Sequence, residues 1–440
     1  MLTDWFIVGG AVTMVLAFAA GLVRRAPLST SIIYLGVGYL IGPRFFGLLD
    51  VDPRSHARGI EWLTAVVIVI SIFSSALKLR IPVLDRRWFD PLRLAFPTML
   101  LTIAGATAAA HFILHLPPET AFLLAAVLAP TDPVLASDVQ VERTYEYHRM
   151  RFALTGEAGM NDGTALPMVT LALAFLGATP RVSAVHWIFL NLVWGVLGAL
   201  LIGGLLGHLA GRYMLHLRLV HKEKAGGDRF LALGIMGLAY GLAEAAQAIG
   251  FVAVFAAGVA VRQIERRMQG KPPDVIELQV TGTAGEQEVA VDENKAPAFM
   301  LLRMRSFTEN LERMGEAAVV VLLGSFLRGS MFGAATFIFA ALLFFAIRPL
   351  SVIAGFAGAG MRRAETAMVS WFGIRGMASV YYLAYMRMHG ASASLVQTLA
   401  NIIVGVIVCS IVVHGASVTP FMRWFESREP VEAATELERP

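Results

Sequence analysis

The sequence contains little charge and almost no cysteine. Of its 440 residues, 15% are charged and 57% are hydrophobic, whereas a water-soluble protein of this length needs roughly 25% charged residues to cover its surface. This shortage excludes a set of water-soluble domains. The single cysteine, Cys409, excludes an internal disulfide framework, and it lies in an apolar run where we expect a small packed side chain.

Long uncharged apolar runs take the place of the missing charge. A membrane-spanning helix needs about 20 such residues, and runs near this length recur along the chain. We therefore predict an all-α polytopic membrane protein with about thirteen transmembrane helices. They lie at residues 5–23, 31–49, 60–77, 94–115, 120–139, 152–177, 187–208, 230–247, 249–262, 311–327, 331–357, 366–386 and 395–415.

The basic residues predict the orientation of the chain. With the loop after the first span placed in the cytoplasm, 28 of the 36 Lys and Arg residues fall in cytoplasmic segments and 6 in external ones. Basic residues accumulate on the cytoplasmic side, so we predict an external N-terminus, a cytoplasmic C-terminus and a location in the cell (inner) membrane. The net charge of +4 follows from this asymmetry, and we predict no nucleic-acid partner.

Two further features concern loops and helix packing. The longest polar segment, residues 263–310, has few aromatic residues in its middle and is predicted to be a flexible cytoplasmic loop. Gly203, Gly207 and Gly211 are four residues apart in the seventh span, a spacing that lets two helices approach closely. Packing within the chain and an interface with a second subunit explain this spacing equally well.

The fifth span carries a polar interruption, Pro130-Thr131-Asp132-Pro133. Prolines inside a helix free backbone groups, and in a membrane such backbone is tolerated where it lines a cavity or is covered by protein. The freed carbonyls and the Asp132 carboxylate are hard oxygen ligands that suit a small cation. The alternative is a proline kink in which Asp132 only caps a helix end.

The sixth span contains Glu157, Asn161 and Asp162. Five helical residues turn the chain by about 500°, or 140° net, so Glu157 and Asp162 point in different directions. One acid can then meet a basic partner while the other faces a ligand, because ionisable groups inside a bilayer generally face a cavity or one another. The arginines inside spans, Arg348 and Arg375, are candidate partners, and for either one the alternative is a purely structural salt bridge.

The charges inside the spans predict exchange chemistry. Asp132, Glu157 and Asp162 contribute three negative charges and the two arginines contribute two positive ones, which leaves −1. Glu244 is omitted because we place it near the external end of its span. One proton or one monovalent cation neutralises the remainder, so the two compete. The sequence has no Walker loop and no GxSxG elbow, and we predict neither an enzyme nor a cofactor.

These motifs occur together in a known family. Thr131-Asp132-Pro133, Glu157 with Asn161-Asp162, Arg348-Pro349 and Gly373-Ile374-Arg375-Gly376 resemble the sodium/proton antiporters, specifically the NhaP-like branch of the monovalent cation–proton antiporter superfamily. The resemblance covers roughly residues 5–420. It implies an inverted-repeat fold in which two broken helices, interrupted at residues 130–133 and 373–376, cross at mid-membrane.

The resemblance also implies domains and a mode of movement. Dimerisation or scaffold helices would occupy residues 1–90 and 181–330, and core transport helices would occupy residues 91–180 and 331–420, before a cytoplasmic tail at 421–440. Transport in the family is by an elevator-like movement of the core. A homodimer embedded in the lipid bilayer is therefore expected.

Ion-binding roles are implied residue by residue. Asp162 matches the family's carrier aspartate and Asp132 matches its second acid, while the backbone carbonyl of Thr131 would be a ligand. Asn161 directly before Asp162 resembles the electroneutral branch, which implies 1:1 exchange. This agrees with the charge sum.

Structural roles are implied for three other charged residues. Glu157 would pair with Arg348 and stabilise the core, and Arg375 would compensate charge at the helix crossing. A gated cation channel and a transport-inactive sensor are the alternatives to antiport. The paired acids favour antiport, because protonation changes their charge.

Two departures from the family pattern concern ion ligands. Ala158 stands where many NhaP-like proteins have a serine, and the third span has Ser74 and Ser75 where many have a glutamate. Water, Ser74 or Thr155 would have to supply the missing oxygens. Sodium is the leading substrate prediction, and lithium and potassium stay open.

Overall fold

The structure is a computed structural model that describes residues 9–10, 13–14, 29–53, 55–132, 141, 148–179, 183–221, 227–268 and 289–427. Within these ranges the chain is largely helical and contains no strand, which confirms the predicted all-α class. Most of the first predicted span, the end of the fifth with Pro133, the middle of the 263–310 segment and the end of the tail lie outside the described residues.

The helices follow the apolar runs. In chain order they are α1 (Thr30–Ile41), α2 (Ala57–Lys78), α3 (Arg86–Phe112), α4 (Pro118–Leu128), α5 (Arg149–Phe175), α6 (Ala184–Val220), α7 (Asp228–Ala245), α8 (Gly250–Met268), α9 (Ala296–Ser325), α10 (Ala334–Gly355), α11 (Arg363–Trp371), α12 (Met377–Met388) and α13 (Ala393–Glu426). In the described part of the chain, α2, α3, α6, α10 and α13 are each long and apolar enough to cross a membrane. The number of membrane spans stays a prediction.

The prediction of a loop at residues 263–310 is wrong at both ends. α8 continues to Met268, and α9 begins at Ala296 rather than at residue 311. The reason is that this part of α9 is amphipathic, with basic residues on a partly exposed face. Such a helix has the average composition of a loop, and only its periodicity distinguishes it. Its buried face carries Met300, Met304 and Thr308.

The spaced glycines of α6 pack against α8 of the same chain. A Cβ atom built on Gly203 would lie 2.8 Å from the Cα of Ala253, and one built on Gly207 would lie 2.8 Å from the Cα of Ala257. These distances are shorter than real Cβ contacts, so only glycine lets the two backbones meet here. Packing within the chain therefore accounts for the spacing.

α2 lies at the centre of the helix arrangement. It packs against α5, α8, α9 and α12, and every residue from Ser71 to Lys78 is buried. α5 packs against α2, α4 and α8, and its residues Gly159 and Gly163 face the side chains of Phe255 and Val252 on α8. The helix with the predicted carrier acid is thus enclosed on several sides by apolar packing.

Candidate functional site

Two interrupted helical segments meet in the interior. α4 ends at Leu128 because Pro130 cannot donate a backbone hydrogen bond and its ring obstructs the helix. Residues 372–376 likewise separate α11 from α12. The backbone N–H of Asp132 donates to the carbonyl of Ile374 at 2.8 Å, which joins the two interruptions. The predicted crossing of two broken segments is confirmed.

Each segment satisfies polar groups at the broken end of the other. The backbone N–H of Met377, the first residue of α12, donates to the Asp132 carboxylate at 2.5 Å, where the helix dipole also favours a negative charge. In the other direction, the hydroxyl of Ser379 donates to the carbonyl of Val127 at 2.8 Å. The Arg375 guanidinium donates to the carbonyl of Ala129. One Asp132 oxygen therefore caps a helix, as the alternative interpretation of this residue predicts.

Asp162 lies in the middle of α5 and is 2% exposed. Its Oδ1 atom has no hydrogen-bond partner among the described residues, although buried polar atoms are normally paired. The hydroxyl of Tyr382 on α12 donates to the backbone carbonyl of Asp162. The arrangement leaves a buried carboxylate oxygen available beside the crossing.

Asn161 connects the crossing with an ion pair. Its Nδ2 atom donates to the hydroxyl of Thr131 at 3.0 Å and to Glu157 at 3.1 Å. Its Oδ1 atom is buried and unpaired within the described part of the chain. Oδ1 of Asn161 and Oδ1 of Asp162 are therefore two unsatisfied oxygens on successive residues of α5.

Arg348 and Glu157 form a bidentate ion pair. The guanidinium donates from Nη1 to Oε1 at 2.7 Å and from Nη2 to Oε2 at 2.8 Å, and the side chains are 3% and 1% exposed. A longer hydrogen bond of 3.4 Å joins Arg348 to the carbonyl of Val369 on α11. The pair links α5 to α10. Both carboxylate oxygens of Glu157 accept hydrogen bonds from Arg348, whereas Oδ1 of Asp162 accepts none from the described residues.

Arg375 is fully buried at the crossing. Its backbone N–H donates to the hydroxyl of Ser410 on α13 at 2.9 Å. Its Nη1 atom donates to the carbonyl of Ala129. Its Nε and Nη2 atoms have no acceptor in the described ranges. Its charge therefore lies beside the two interrupted segments, where the sequence predicts charge compensation.

The two auxiliary ligand candidates have other partners. The hydroxyl of Ser74 donates to Glu312 on α9 at 2.7 Å. The hydroxyl of Thr155 donates to the carbonyl of Arg151 at 2.7 Å and accepts from the backbone of Val141 at 3.1 Å. A ligand role for either residue stays a prediction.

Sequence reasoning missed two buried acids on α9. Glu312 and Glu316 are each 6% exposed; both fall inside the predicted span 311–327, and the charge sum does not include them. The predicted charge sum of −1 is therefore incomplete. Their spacing of four residues on a helix face was an available signal. Glu244 is exposed and lies one residue before the end of α7, which agrees with its omission from the sum.

These features define a class of protein. Interrupted helices that meet around buried carboxylates inside a helical membrane protein are typical of ion-coupled secondary transporters. A family model described as the transmembrane sodium/hydrogen exchanger matches residues 12–277 and 308–424. The chain belongs to this family, which confirms the resemblance drawn from its motifs, and it is a multi-pass membrane protein.

Individual relatives are distant. The chain is 25% identical over 214 residues to the probable Na(+)/H(+) antiporter of Schizosaccharomyces pombe, which is 46% of this chain and 28% of the relative. It is 25% identical over 224 residues to another Na(+)/H(+) antiporter of the same yeast, 48% of this chain and 46% of the relative. The chain thus spans less than half the length of these curated relatives.

A solved structure matches the fold as a whole. The sodium proton antiporter MjNhaP1 from Methanocaldococcus jannaschii superposes with a TM-score of 0.68, and the match covers 99% of this chain and 100% of that one. The sequence identity is 17%, so this likeness concerns the fold. The predicted antiporter-like fold is confirmed.

Proposed function

We propose that this protein is a secondary antiporter that exchanges a monovalent cation for protons, with Na⁺ as the first candidate and Li⁺ or K⁺ as alternatives. The observation that carries the proposal is the buried Oδ1 of Asp162, which has no partner among the described residues and follows directly after Asn161, whose side chain reaches Thr131 at the helix crossing. An isolated charge in such a place is costly. Binding of either H⁺ or a cation removes that cost, and the two compete for one carboxylate.

The neighbouring residues would complete a cation site. Oδ1 of Asn161 is an oxygen without a partner in the described chain, and we assign it, with the second acid Asp132 and the backbone carbonyl of Thr131, to the ion. Asn161 is neutral, so Asp162 carries the exchangeable charge alone. Exchange would then be electroneutral, one cation for one proton.

Alternating access would arise by movement of the core against the scaffold. We assign residues 91–180 and 331–420 to the core, and residues 1–90 and 181–330 to the scaffold. The contact of Gly159 and Gly163 with apolar side chains of α8 lies on this boundary. A boundary of glycines and apolar side chains has few directional bonds to break, so it suits an elevator-like displacement.

The assembly and location follow from the same proposal. We propose a homodimer in the cell (inner) membrane with an external N-terminus and a cytoplasmic C-terminus. Glu157 and Arg348 stabilise the core, and Arg375 compensates charge at the crossing. The substrates are the cation and H⁺, and no cofactor takes part.

Flux in proteoliposomes tests the proposal. Purified protein is reconstituted with an internal pH dye, and Na⁺, Li⁺ or K⁺ is added outside with the membrane potential clamped at zero. We expect cation-dependent proton flux that Asp162→Asn abolishes. Glu244→Gln, an exposed acid at the end of α7, is the control and should keep its flux.

Two outcomes would overturn this assignment. Flux retained by Asp162→Asn would remove that residue from the mechanism. Cation current that follows an imposed voltage, without coupled pH change, would identify a channel instead. Electroneutral exchange predicts pH change that is insensitive to the clamped potential.

A further inference from the structure

A second buried carboxylate lies on α9, a helix that carries neither the crossing nor Asp162. Glu312 on α9 accepts hydrogen bonds from the hydroxyls of Ser71 at 2.9 Å and Ser74 at 2.7 Å, both on α2. All three side chains are buried. α2 packs against both α9 and α5. The two acids are therefore on different helices that share α2 as a neighbour.

Glu312 falls inside the predicted membrane span 311–327, most of which lies in α9. It precedes the end of α9 at Ser325 by 13 residues, which is about 20 Å of helix, against a hydrocarbon core of about 30 Å. Apolar packing surrounds it, because Gly315, less than one turn further on, faces the side chain of Val67. A carboxylate at this depth needs a compensating positive charge or a proton.

No basic side chain supplies that charge by contact. In the described ranges Glu312 forms no ion pair, and its two hydrogen bonds are the serine bonds. Arg313 is exposed. Lys78 lies one helical turn beyond Ser74 and has an interaction of its own, but it forms no ion pair with Glu312. Within the described ranges, the Glu312 carboxylate therefore accepts hydrogen bonds from neutral hydroxyls only.

Two further buried hydroxyls lie one helical turn from members of this cluster, and that of Thr308 donates to the carbonyl of Arg305 at 3.1 Å. Ser75 follows Ser71 by four residues and so lies on the same side of α2. It is fully buried, and its hydroxyl has no partner in the part of the chain that the structure describes. Thr308 precedes Glu312 by one turn of α9 and is also fully buried. A carboxylate with several hydroxyls and no contacting base is a donor set for a hard monovalent cation.

We propose that Glu312, Ser71 and Ser74 form a second binding site for a monovalent cation, between α2 and α9, which assigns Ser74 to this site rather than to the ion at Asp162. The cation binds the carboxylate oxygens of Glu312 and the hydroxyl oxygens of the two serines. Because the hydroxyls join α2 to α9, an occupied site stabilises the contact between these helices. This inference does not depend on the transport role of Asp162.

The test removes the first site and then the second. The full chain is purified as Asp162→Asn, and its unfolding midpoint is measured against NaCl or LiCl, with choline chloride keeping the ionic strength constant. We expect a saturable rise in the midpoint. Asp162→Asn with Glu312→Gln should lose the rise. Asp162→Asn with Glu316→Gln, the matched control on the same helix, should keep it.

A second measurement keeps the proposal testable if the double variant with Glu312→Gln does not fold. Ser71→Ala with Ser74→Ala, in the Asp162→Asn protein, keeps the carboxylate and should need more cation for the half-maximal rise. Proton flux lost in Asp162→Asn, together with a cation response unchanged by Glu312→Gln, would overturn the second site alone. A midpoint of Asp162→Asn that does not respond to cation would also overturn it.

Discussion

Replacing Arg348 by methionine tests the strongest buried electrostatic contact near the candidate site. Arg348 makes two hydrogen bonds to Glu157, at 2.7 and 2.8 Å, and both side chains are almost completely buried. Removing one partner of such a pair costs about 3–5 kcal/mol, because the other charge stays buried without compensation. We therefore expect Arg348→Met to lower the free energy of unfolding by about that amount.

Two controls separate lost pairing from lost packing. In Glu157→Met with Arg348→Met, no charge is left unpaired, and apolar replacement of a buried pair is often neutral, so most of the loss should be recovered. Arg328→Met removes the same side chain from an exposed pair with Asp50, at 3.9 Å. That change should cost about 1 kcal/mol or less.

The assay combines denaturant unfolding in detergent with cation-dependent proton flux. If Arg348 has a structural role, Arg348→Met unfolds at lower denaturant concentration, while the protein that remains folded keeps its apparent affinity for the cation. An Arg348→Met protein as stable as the wild type, but with a changed cation affinity, would refute this reasoning. It would place Arg348 in the ion site.

Two further predictions concern glycines. A Cβ on Gly373 would lie 2.8 Å from Nε of Arg348, so we expect Gly373→Ala to displace the guanidinium and lower the free energy of unfolding by about 1–3 kcal/mol. The control is Gly36→Ala on α1, where a Cβ would have nothing within 4 Å. This change should be neutral or slightly stabilising in thermal unfolding. Gly207→Ala should separate α6 from α8 and lower the unfolding midpoint, whereas Gly204→Ala, which faces open space, should not, and equal effects in both would contradict the packing described here.

The helices and the break in the second half of the chain could be predicted from composition and local breakers. Apolar runs place most helices within a few residues, and the glycines on either side of Arg375 mark an interruption that the structure also has at residues 372–376. The reason is that bilayer thickness fixes helix length, and glycine costs helix stability locally. Both effects can be recognised from the residues alone.

The partners across the site could not be predicted in the same way. The hydroxyl of Tyr382 on the backbone of Asp162, and that of Ser379 on Val127, join residues more than 200 positions apart. Serine and tyrosine at these positions look like ordinary members of an apolar helix, since nothing in their local sequence states which carbonyl they meet. Glu312 falls inside the predicted span 311–327, and it was missed for a related reason, because nothing in its local sequence states that Ser71 and Ser74 meet it.

The crossing restricts how the site can move. The carbonyls of Val127 and Ala129 are satisfied by residues on the opposite segment, and so is the N-terminus of α12, through Asp132. An unsatisfied backbone group in hydrocarbon costs several kcal/mol, so separating the segments would break at least three such contacts at once. The two segments must therefore move together as one body. The elevator-like displacement proposed above keeps these contacts, and it would use the boundary where glycines of α5 face apolar side chains of α8.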